Sequence, residues 1–483
     1  MKENTITQGL SYIYFEKVLS QLVSLVVTIV LARILSPHDY GLVAILIVFL
    51  NIADVFVTAG LGNALIQQKN IEDKDYSTIL TFSLCLSFLL YLLFFVLAPY
   101  IAIYYKMPML KSLLRVLALR LPLAALTSVQ QAFISRNMLF HKQLLSTLIG
   151  CVVSAVVGIY MAINGSGAWA LVIQYVCNAF VSLLVLQILI PLKYKVIFAI
   201  DRFKKLFSFG WKLLVTALID RIYNEVRSLV IGKMFTPSDL AFYTKGQFFP
   251  NLLMSNIDSS MTRVLFPVIS RQQDDLFQVR EIVSKTVSVS SYLVIPILVL
   301  FSFIAEKVVY ILLTDKWLPC VPYLQIFCIY YMFTPIKSAK YQAITAIGRS
   351  DISLRCEIIQ KIFGVAILLY TIFICRTVLA IALGNIVFTI ITVIITAIVC
   401  KKYIKLSYNQ QFKDIFHSIV ISIFLYVILL VTSYISINIY LDLLIQSLIF
   451  VIAYISISKM FGFDEFVKLE NMFFSFWKKK RLF

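Results

Sequence analysis

The stretch STILTFSLCLSFLLYLLFFVLAPYIAI (77–103) contains no charged residue and is longer than the roughly 20 apolar residues that a helix needs to cross a bilayer. Similar stretches follow one another along the whole chain, separated by short connectors. Of the 483 residues, 61% are apolar and 14% are charged, and the mean hydropathy is +0.92. This pattern predicts an all-α polytopic membrane protein with about 14 spans, at 11–33, 40–66, 77–103, 111–134, 141–162, 168–191, 208–231, 240–266, 284–304, 319–346, 356–375, 377–400, 414–435 and 438–457.

The basic residues are distributed unevenly between the two sides of the predicted membrane. Of the 43 Lys and Arg residues, 24 lie in the even-numbered connectors and the termini and 7 in the odd-numbered connectors, when Arg33, Lys111 and Lys142 at the span borders are counted with the adjoining connectors. By the positive-inside rule, both termini are predicted to be cytoplasmic. The N-terminus lacks a basic head followed by a cleavage site, so we expect the first span to be retained. Topology and attraction to anionic membrane lipid account for the net charge of +19, and we expect no nucleic acid partner.

Two segments that lie two hundred residues apart resemble each other. LARILSPHDYGLV (31–43) and IGKMFTPSDLAFY (231–243) place a basic residue, a Ser or Thr, a Pro and an Asp at matching positions. Ser or Thr, then Pro, then Asp predicts a helix start with a capping box. Further echoes in the same order predict two six-helix lobes related by a parallel repeat, at 1–200 and 201–405. Spans 13 and 14 and a basic cytoplasmic tail, at 406–483, are then an appended helix pair.

Span 7 carries the densest group of charges within the predicted membrane. Its sequence LIDRIYNEVRSLVIG (218–232) holds two acids, two arginines and an asparagine within two helical turns. An ionised side chain at mid-membrane costs about 2.5–3.5 kcal/mol on insertion scales, so this helix is predicted to face a polar interior. Span 1, its equivalent in the first repeat, has a milder polar stripe that includes Lys17 and Gln21.

We interpret the polar residues within the spans as the lining of a substrate site. Basic groups pair with phosphate oxygens, and a carboxylate that exchanges a proton or Na⁺ would couple transport to an ion gradient. The substrate-binding candidates are Lys17, Gln21, Asn51, Arg221, Asn224, Arg227, Arg263, Lys337 and Lys340; the ion-coupling candidates are Glu16, Asp54, Asp220 and Glu225; Arg115 and Arg120 are further candidates for the lining. The alternative is that some of these charges are ion pairs that fix helix packing, and Arg221 with Glu225 is the clearest case.

The sequence predicts neither a catalytic site nor a metal site. Its eight cysteines are scattered without a C-x-x-C spacing, and no acid–base or nucleophilic constellation is present. We therefore expect no cofactor apart from a coupling ion, H⁺ or Na⁺.

Several segments are similar to a known family of membrane transporters. They are LARILSPHDYGLVAI (31–45), TAGLGNALIQQKNI (58–71), SLVIGKMFTPSDLAFYTKGQFFPNLL (228–253), TDKWLPCVPYLQIFCI (314–329) and AIGRSDISLRCEII (346–359). They resemble the Wzx-type oligosaccharide flippases of the multidrug/oligosaccharidyl-lipid/polysaccharide exporter superfamily, nearest the colanic-acid exporter branch. In order along the chain, the resemblance runs from about residue 10 to residue 405. Many exporters of this branch have Asp where this chain has Arg227.

The resemblance implies a function in surface polysaccharide synthesis. A polyprenyl-diphosphate-linked oligosaccharide would move from the cytoplasmic to the outer leaflet of the bacterial cytoplasmic membrane. Ion-coupled alternating access around a central cationic cavity would move it, and a polysaccharide polymerase and export machinery would be partners. A flippase for peptidoglycan precursor lipid and a small-molecule or drug antiporter of the same superfamily are the alternatives. A membrane glycosyltransferase, polymerase or ligase is disfavoured, because the outer connectors are too short to carry a catalytic constellation.

Overall fold

The computed structural model describes residues 3–58, 65, 71–191, 198–433 and 438–471, with side chains from residue 17 onward except at 205 and 209. All regular secondary structure in these ranges is helical. The helices are α1 (Glu3–Ile34), α2 (Pro37–Thr58), α3 (Asp73–Tyr105), α4 (Met109–Leu117), α5 (Arg120–Asn137), α6 (Phe140–Ile163), α7 (Ala168–Leu189), α8 (Ile200–Met234), α9 (Pro237–Ser270), α10 (Leu276–Phe303), α11 (Ala305–Leu313), α12 (Val321–Met332), α13 (Thr334–Ala346), α14 (Ser350–Tyr370), α15 (Val378–Tyr403), α16 (Tyr408–Thr432) and α17 (Ile439–Phe461).

Within the described residues, every predicted span coincides for most of its length with helix; residues 59–64 and 66 of span 2 and 434–435 of span 13 lie outside the described residues. Within the described ranges, eleven helical stretches are long and apolar enough to cross a membrane, so the chain is a multi-pass membrane protein. The other three predicted spans, 7, 8 and 10, correspond to α8, α9 and the α12–α13 pair, which contain more polar residues. The count of about fourteen crossings therefore stays a prediction.

Two predicted spans, 4 and 10, are each broken into two helices. Span 4 breaks between α4 and α5, where Pro122 has no N–H to donate to the carbonyl of Ala118, four residues earlier. Span 10 breaks between α12 and α13, where Pro335 likewise cannot donate to the carbonyl of Tyr331 and instead occupies the first turn of α13. Both breaks thus lie beside a proline, although Pro99, Pro250, Pro267 and Pro296 lie within unbroken helices.

The chain divides into two compact units, Met1–Ala241 and Phe242–Phe483. Within the first unit, α2 packs against α3, α4, α5, α7 and α8, while α1 packs against α6. The helix α8, which the repeat assigns to the second lobe, therefore packs within the first unit. The three-part division at residues 200 and 405 was drawn from the repeat and remains a prediction.

Within the second unit, α10 is the central helix and holds the appended C-terminal pair. It packs against α12, α13 and α16. One polar face of α10 bonds to the C-terminal part of the chain: Ser284 Oγ donates to Asp414 (2.6 Å), Ser288 Oγ donates to Glu465 (2.6 Å), and the Tyr292 hydroxyl is hydrogen-bonded to Ser458 (2.5 Å). Hydrogen bonds at three levels of one helix fix the register of the appended segment, because each would otherwise leave a buried polar group unpaired.

Both copies of the repeated segment form the predicted capping box. At the start of α2, Ser36 N and Oγ donate to Asp39 Oδ2 (3.2 and 2.6 Å), and Asp39 N donates back to Ser36 Oγ (3.2 Å). At the start of α9, Thr236 and Asp239 make the same three bonds, at 3.0, 2.7 and 3.2 Å. The predicted helix starts are confirmed in both copies.

The starts of α2 and α9 also approach each other closely, at a glycine. A Cβ placed on Gly41 would lie 1.8 Å from the carbonyl oxygen of Pro237. One turn deeper, a Cβ on Gly232 of α8 would lie 2.8 Å from the Ile45 side chain. Glycine at these two positions lets α2 approach α8 and α9 more closely than any other residue would allow.

Candidate functional site

The charged stripe of α8 contacts α2 within the first unit. Arg221 Nε lies 3.3 Å from Glu225 Oε1, one turn along the same helix, and the Asn51 side-chain amide donates to Glu225 Oε1 at 2.8 Å. The Glu225 side chain is 15% exposed, whereas that of Arg221 is 41% exposed. The carboxylate is therefore held from two sides, and Arg221 keeps part of its guanidinium accessible.

A second ion pair lies one turn further along α2. Arg120 Nη2 of α5 donates to Asp54 Oδ2 at 2.7 Å, while Asp54 Oδ1 is buried without a hydrogen-bond partner. Arg221 also interacts electrostatically with Asp54, which connects the two pairs. We call Asn51, Asp54, Arg120, Arg221 and Glu225 the α2–α8 polar cluster. Its two arginines and two carboxylates balance, as expected for charges placed within a membrane-spanning region.

The remaining candidates of the first unit lie outside this cluster. Lys17 and Gln21 are half-buried on α1, and the Glu16 side chain lies outside the described residues. On α8, Asp220 and Arg227 are half-buried and Asn224 is exposed. The Arg227 guanidinium lies 5.3 Å from the centre of the Tyr223 ring, within the range of a cation–π contact. The binding and coupling roles of these residues stay predictions.

In the second unit, Lys340 is oriented toward the appended helix pair. It is 3% exposed, and its Nζ donates to Gln411 Oε1 of α16 at 2.7 Å. Gln411 in turn donates to the backbone carbonyls of Ala397 and Leu406. This arrangement gives the Lys340 ammonium a packing role between α13 and α16, beside the binding role predicted for it.

Lys337 and Arg263 are the more accessible cations of the second unit's candidate set. Lys337 is half-buried on α13, next to Ser338, whose hydroxyl donates to Asp258 of α9. Arg263 is exposed on α9. Among the described residues, no group of three or more His, Cys, Asp or Glu side chains is placed to hold a metal ion.

The structure adds a polar cavity of about 330 Å³ among α2, α5, α6 and α7. The Asp54–Arg120 pair forms part of its wall. Nine of its fourteen lining residues carry a hydroxyl or a side-chain amide; the full lining is Asp54, Thr58, Arg120, Ala124, Thr127, Ser128, Gln131, Gln143, Ser146, Thr147, Asn178, Ala179, Ser182 and Leu186. Of the lining residues on α5, α6 and α7, sequence reasoning named only Arg120, because it counted charges and gave little weight to uncharged polar groups within spans.

A family model described as polysaccharide biosynthesis protein matches residues 30–322, more than half of the chain. The chain belongs to this family. ExoT of Rhizobium meliloti, a succinoglycan biosynthesis transport protein, is 24% identical over 65% of this chain and 63% of its own length. WzxC of Escherichia coli, a lipopolysaccharide biosynthesis protein, is 23% identical over 74% of this chain and 73% of WzxC. TuaB of Bacillus subtilis, a teichuronic acid biosynthesis protein, is 21% identical over 62% of this chain and 63% of TuaB.

The chain thus spans slightly less than two thirds of the length of ExoT and TuaB. Among solved structures, the inward closed conformation of the lipid II flippase MurJ matches with a TM-score of 0.75 and 16% identity, over 94% of this chain and 98% of MurJ. An inward-facing multidrug resistance MATE family transporter matches with a TM-score of 0.61 and 15% identity, over 80% of this chain and 96% of that transporter. At these identities the similarity is one of fold, and it confirms the predicted fold class.

Proposed function

We propose that this protein translocates polyprenyl-diphosphate-linked oligosaccharide repeat units from the cytoplasmic to the outer leaflet of the bacterial cytoplasmic membrane. It would act as a transporter and not as an enzyme. The observation that carries the proposal is the concentration of charged and amide side chains on α8 and α2, helices of a multi-pass membrane protein with a lipid-flippase fold. Such groups are costly within a bilayer and are retained where a polar ligand passes.

The diphosphate is the part of this substrate that basic residues would recognise. The sequence offers Arg227 in the first unit, and Lys337 and Arg263 in the second, as candidates for this role, and each is at least partly accessible. Arginine and lysine form charge-assisted hydrogen bonds to phosphate oxygens, roughly twice as strong as neutral ones. Lys17 on α1 would add a fourth cation.

The oligosaccharide part is supported by the family and by the relatives. ExoT, WzxC and TuaB bear the names of three different polymers: succinoglycan, lipopolysaccharide and teichuronic acid. Relatives that are named for different sugar polymers, one of them as a transport protein, support a lipid-linked sugar substrate as a class. Polysaccharide polymerase and export proteins would act on the product, and they are the partners that we propose.

We further propose that an ion gradient drives transport and that H⁺ or Na⁺ is the coupling ion. Asp54 and Glu225 of the α2–α8 polar cluster are the central carboxylates, with Asp220 and Glu16 as further candidates. Protonation or Na⁺ binding at Glu225 would release Arg221, which would then be available to a phosphate. Dissipating the proton gradient or replacing Na⁺ in membrane vesicles should separate the two ions.

The first experiment is mass spectrometry of polyprenyl-diphosphate-linked sugars in cells with and without the protein. We expect the complete, unpolymerised repeat unit to accumulate on the cytoplasmic leaflet when the protein is absent. A truncated sugar chain would instead indicate an enzyme that builds the oligosaccharide. An unchanged pool of lipid-linked sugars would contradict the proposal and favour a small-molecule antiporter.

Peptidoglycan precursor export is the second candidate, because the MurJ fold matches over 94% of this chain. The same mass spectra distinguish the two. Accumulation of the peptidoglycan precursor lipid, with an unchanged pool of polymer repeat units, would favour this second function.

The cytoplasmic location of both termini remains part of the proposal. Reporter fusions at each end test it, because a fluorescent reporter matures in the cytoplasm and an alkaline phosphatase reporter becomes active outside. Activity of the phosphatase at either end would contradict the predicted topology.

A further inference from the structure

The polar cavity of the first unit lies along a path from mid-membrane to the predicted cytoplasmic end. Thr58 is the last residue of α2, Gln143 lies in the first turn of α6, and Leu186 lies in the last turn of α7. These three helix ends meet on the side that the charge distribution assigns to the cytoplasm. Arg120, at the first residue of α5, marks the deeper end. The cavity is therefore on the side from which a cytoplasmic substrate would enter.

The lining of the cavity is rich in hydrogen-bonding groups but carries no net charge. Asp54 and Arg120 compensate each other, and the other polar groups are hydroxyls and amides. Within the part of the chain that the structure describes, Asp54 Oδ1 is buried without a hydrogen-bond partner, and the side chains of Gln131, which is exposed, and Gln143, which is half-buried, lie in the wall of the same cavity. Buried polar groups normally find partners, so Asp54 Oδ1 is a candidate to bind a ligand, and the two glutamine amides are accessible to that ligand.

The chemistry of this lining excludes the other parts of the substrate. A diphosphate requires free cations, whereas the guanidinium of Arg120 is already bonded to Asp54. An acyl or polyprenyl chain would leave the amides and hydroxyls without partners. A volume of about 330 Å³ is far larger than a single ion and lies at the lower end of the usual range for small-molecule sites, about 300–1,000 Å³.

We propose that this cavity binds a sugar unit of the lipid-linked oligosaccharide, apart from the cations that bind the diphosphate. A sugar presents several hydroxyls that both donate and accept, which matches amides, hydroxyls and a carboxylate oxygen on four helices. Gln131 and Gln143 would bind sugar hydroxyls directly, and Asp54 Oδ1 would accept from one. The proposal rests on the proposed function and adds to it a site at which the sugar, and not the lipid, is recognised.

The test compares the binding of two lipids to the purified protein in lipid nanodiscs. One is a polyprenyl diphosphate without sugar; the other is the lipid-linked oligosaccharide extracted from cells that lack the protein. The variants are Gln131→Leu, Gln143→Leu and the double variant, in which leucine keeps the approximate volume but removes the amide. Gln278→Leu, at an exposed position on α10, is the matched control.

We expect the natural protein to prefer the sugar-bearing lipid and the double variant to lose about tenfold of that preference, with unchanged affinity for the sugar-free lipid. Each single variant should lose a part of it, which keeps the test valid if the double variant does not fold. An unchanged preference in the variants, or no preference in the natural protein, would overturn the sugar site alone. Failure of the natural protein to bind either lipid would instead overturn the proposed function.

Discussion

The segment that joins α1 to α2 and the segment that joins α8 to α9 have the same local structure in different surroundings. Ser36 with Asp39, and Thr236 with Asp239, make the same three hydrogen bonds to within 0.2 Å. The helices that lead into them differ: α1 packs against α6, whereas α8 packs against α2 and α3. A cap is retained in both copies because it depends on four consecutive residues, whereas the partners of a long helix depend on the whole fold.

The polar stripes of α1 and α8 also differ at equivalent positions. With an offset of 200 residues, Gln21 aligns with Arg221, Ser24 with Asn224, and Val27 with Arg227. The second copy thus has an arginine where the first has an amide or an apolar residue, and an amide where the first has a hydroxyl. The second copy also contains a partner for one of these charges, because Arg221 is paired with Glu225, which lowers the cost of placing it within the membrane. The comparison suggests that one copy provides the main cationic surface and the other a milder polar one.

The largest effect should come from Gly41→Val, which removes the close approach that distinguishes the first copy. A Cβ at this position would meet the Pro237 carbonyl oxygen at 1.8 Å, so backbone must move. We expect a loss of about 3 kcal/mol or more in the free energy of unfolding, measured as a lower thermal denaturation midpoint in detergent. Ala241→Gly, at the equivalent buried position, is the control and should cost about 1 kcal/mol. Equal effects of the two changes would contradict the close packing.

Next comes Arg227→Val, which gives α8 the residue that α1 has at the equivalent position. We expect polymer output to fall at least about tenfold, because a cation that binds the phosphate is lost. Membrane insertion should be unchanged, because the change removes a charge from the membrane and adds none. Lys337→Ala should behave in the same way. Lys285→Ala, which removes a cation from an exposed pair with Glu281, is the control. Normal polymer output from both site variants would remove them from the substrate site.

A moderate effect is expected from the Arg221–Glu225 pair. Because Arg221 is partly exposed, losing either partner alone should lower the free energy of unfolding by about 1 kcal/mol. A change at Glu225 should cost more, because it also removes the hydrogen bond from Asn51. The charge swap Arg221→Glu with Glu225→Arg should recover the ion pair but not the bond from Asn51. Denaturation and transport measured on the same variants separate the two roles. If the charge swap restores stability but not transport, the pair takes part in transport directly.

The smallest effect should come from the two caps, and it should be equal in both copies. Ser36→Ala and Thr236→Val each remove a hydroxyl that both donates to an aspartate and accepts from its amide. Each should cost about 1 kcal/mol in the free energy of unfolding. Thermal denaturation of the two variants side by side tests the equality. A cost in one copy twice that in the other would show that tertiary contacts, and not the cap, dominate there.

Much of the fold could be read from the sequence because hydropathy and helix capping act over short stretches of chain. The apolar runs marked the helices. The two broken spans could not be found in this way, because Pro99, Pro250, Pro267 and Pro296 lie inside unbroken helices, whereas Pro122 and Pro335 lie at breaks. The site was less accessible. Arg221 with Glu225 follows from helical spacing, but nothing local indicates that Lys340 is buried against Gln411 of the appended helix.

The sequence by itself determined that the chain is a multi-pass helical membrane protein, where its helices begin, and which of them carry charge. The tertiary structure alone decided which of these charges meet. Asn51 contacts Glu225 across 174 residues of sequence, Arg120 meets Asp54 across 66, and the polar cavity takes its lining from four helices. The physical reason is that each helix must be apolar enough to enter the membrane by itself, which is a property of its own sequence. Hydrogen bonds and ion pairs between helices form only after the helices have packed.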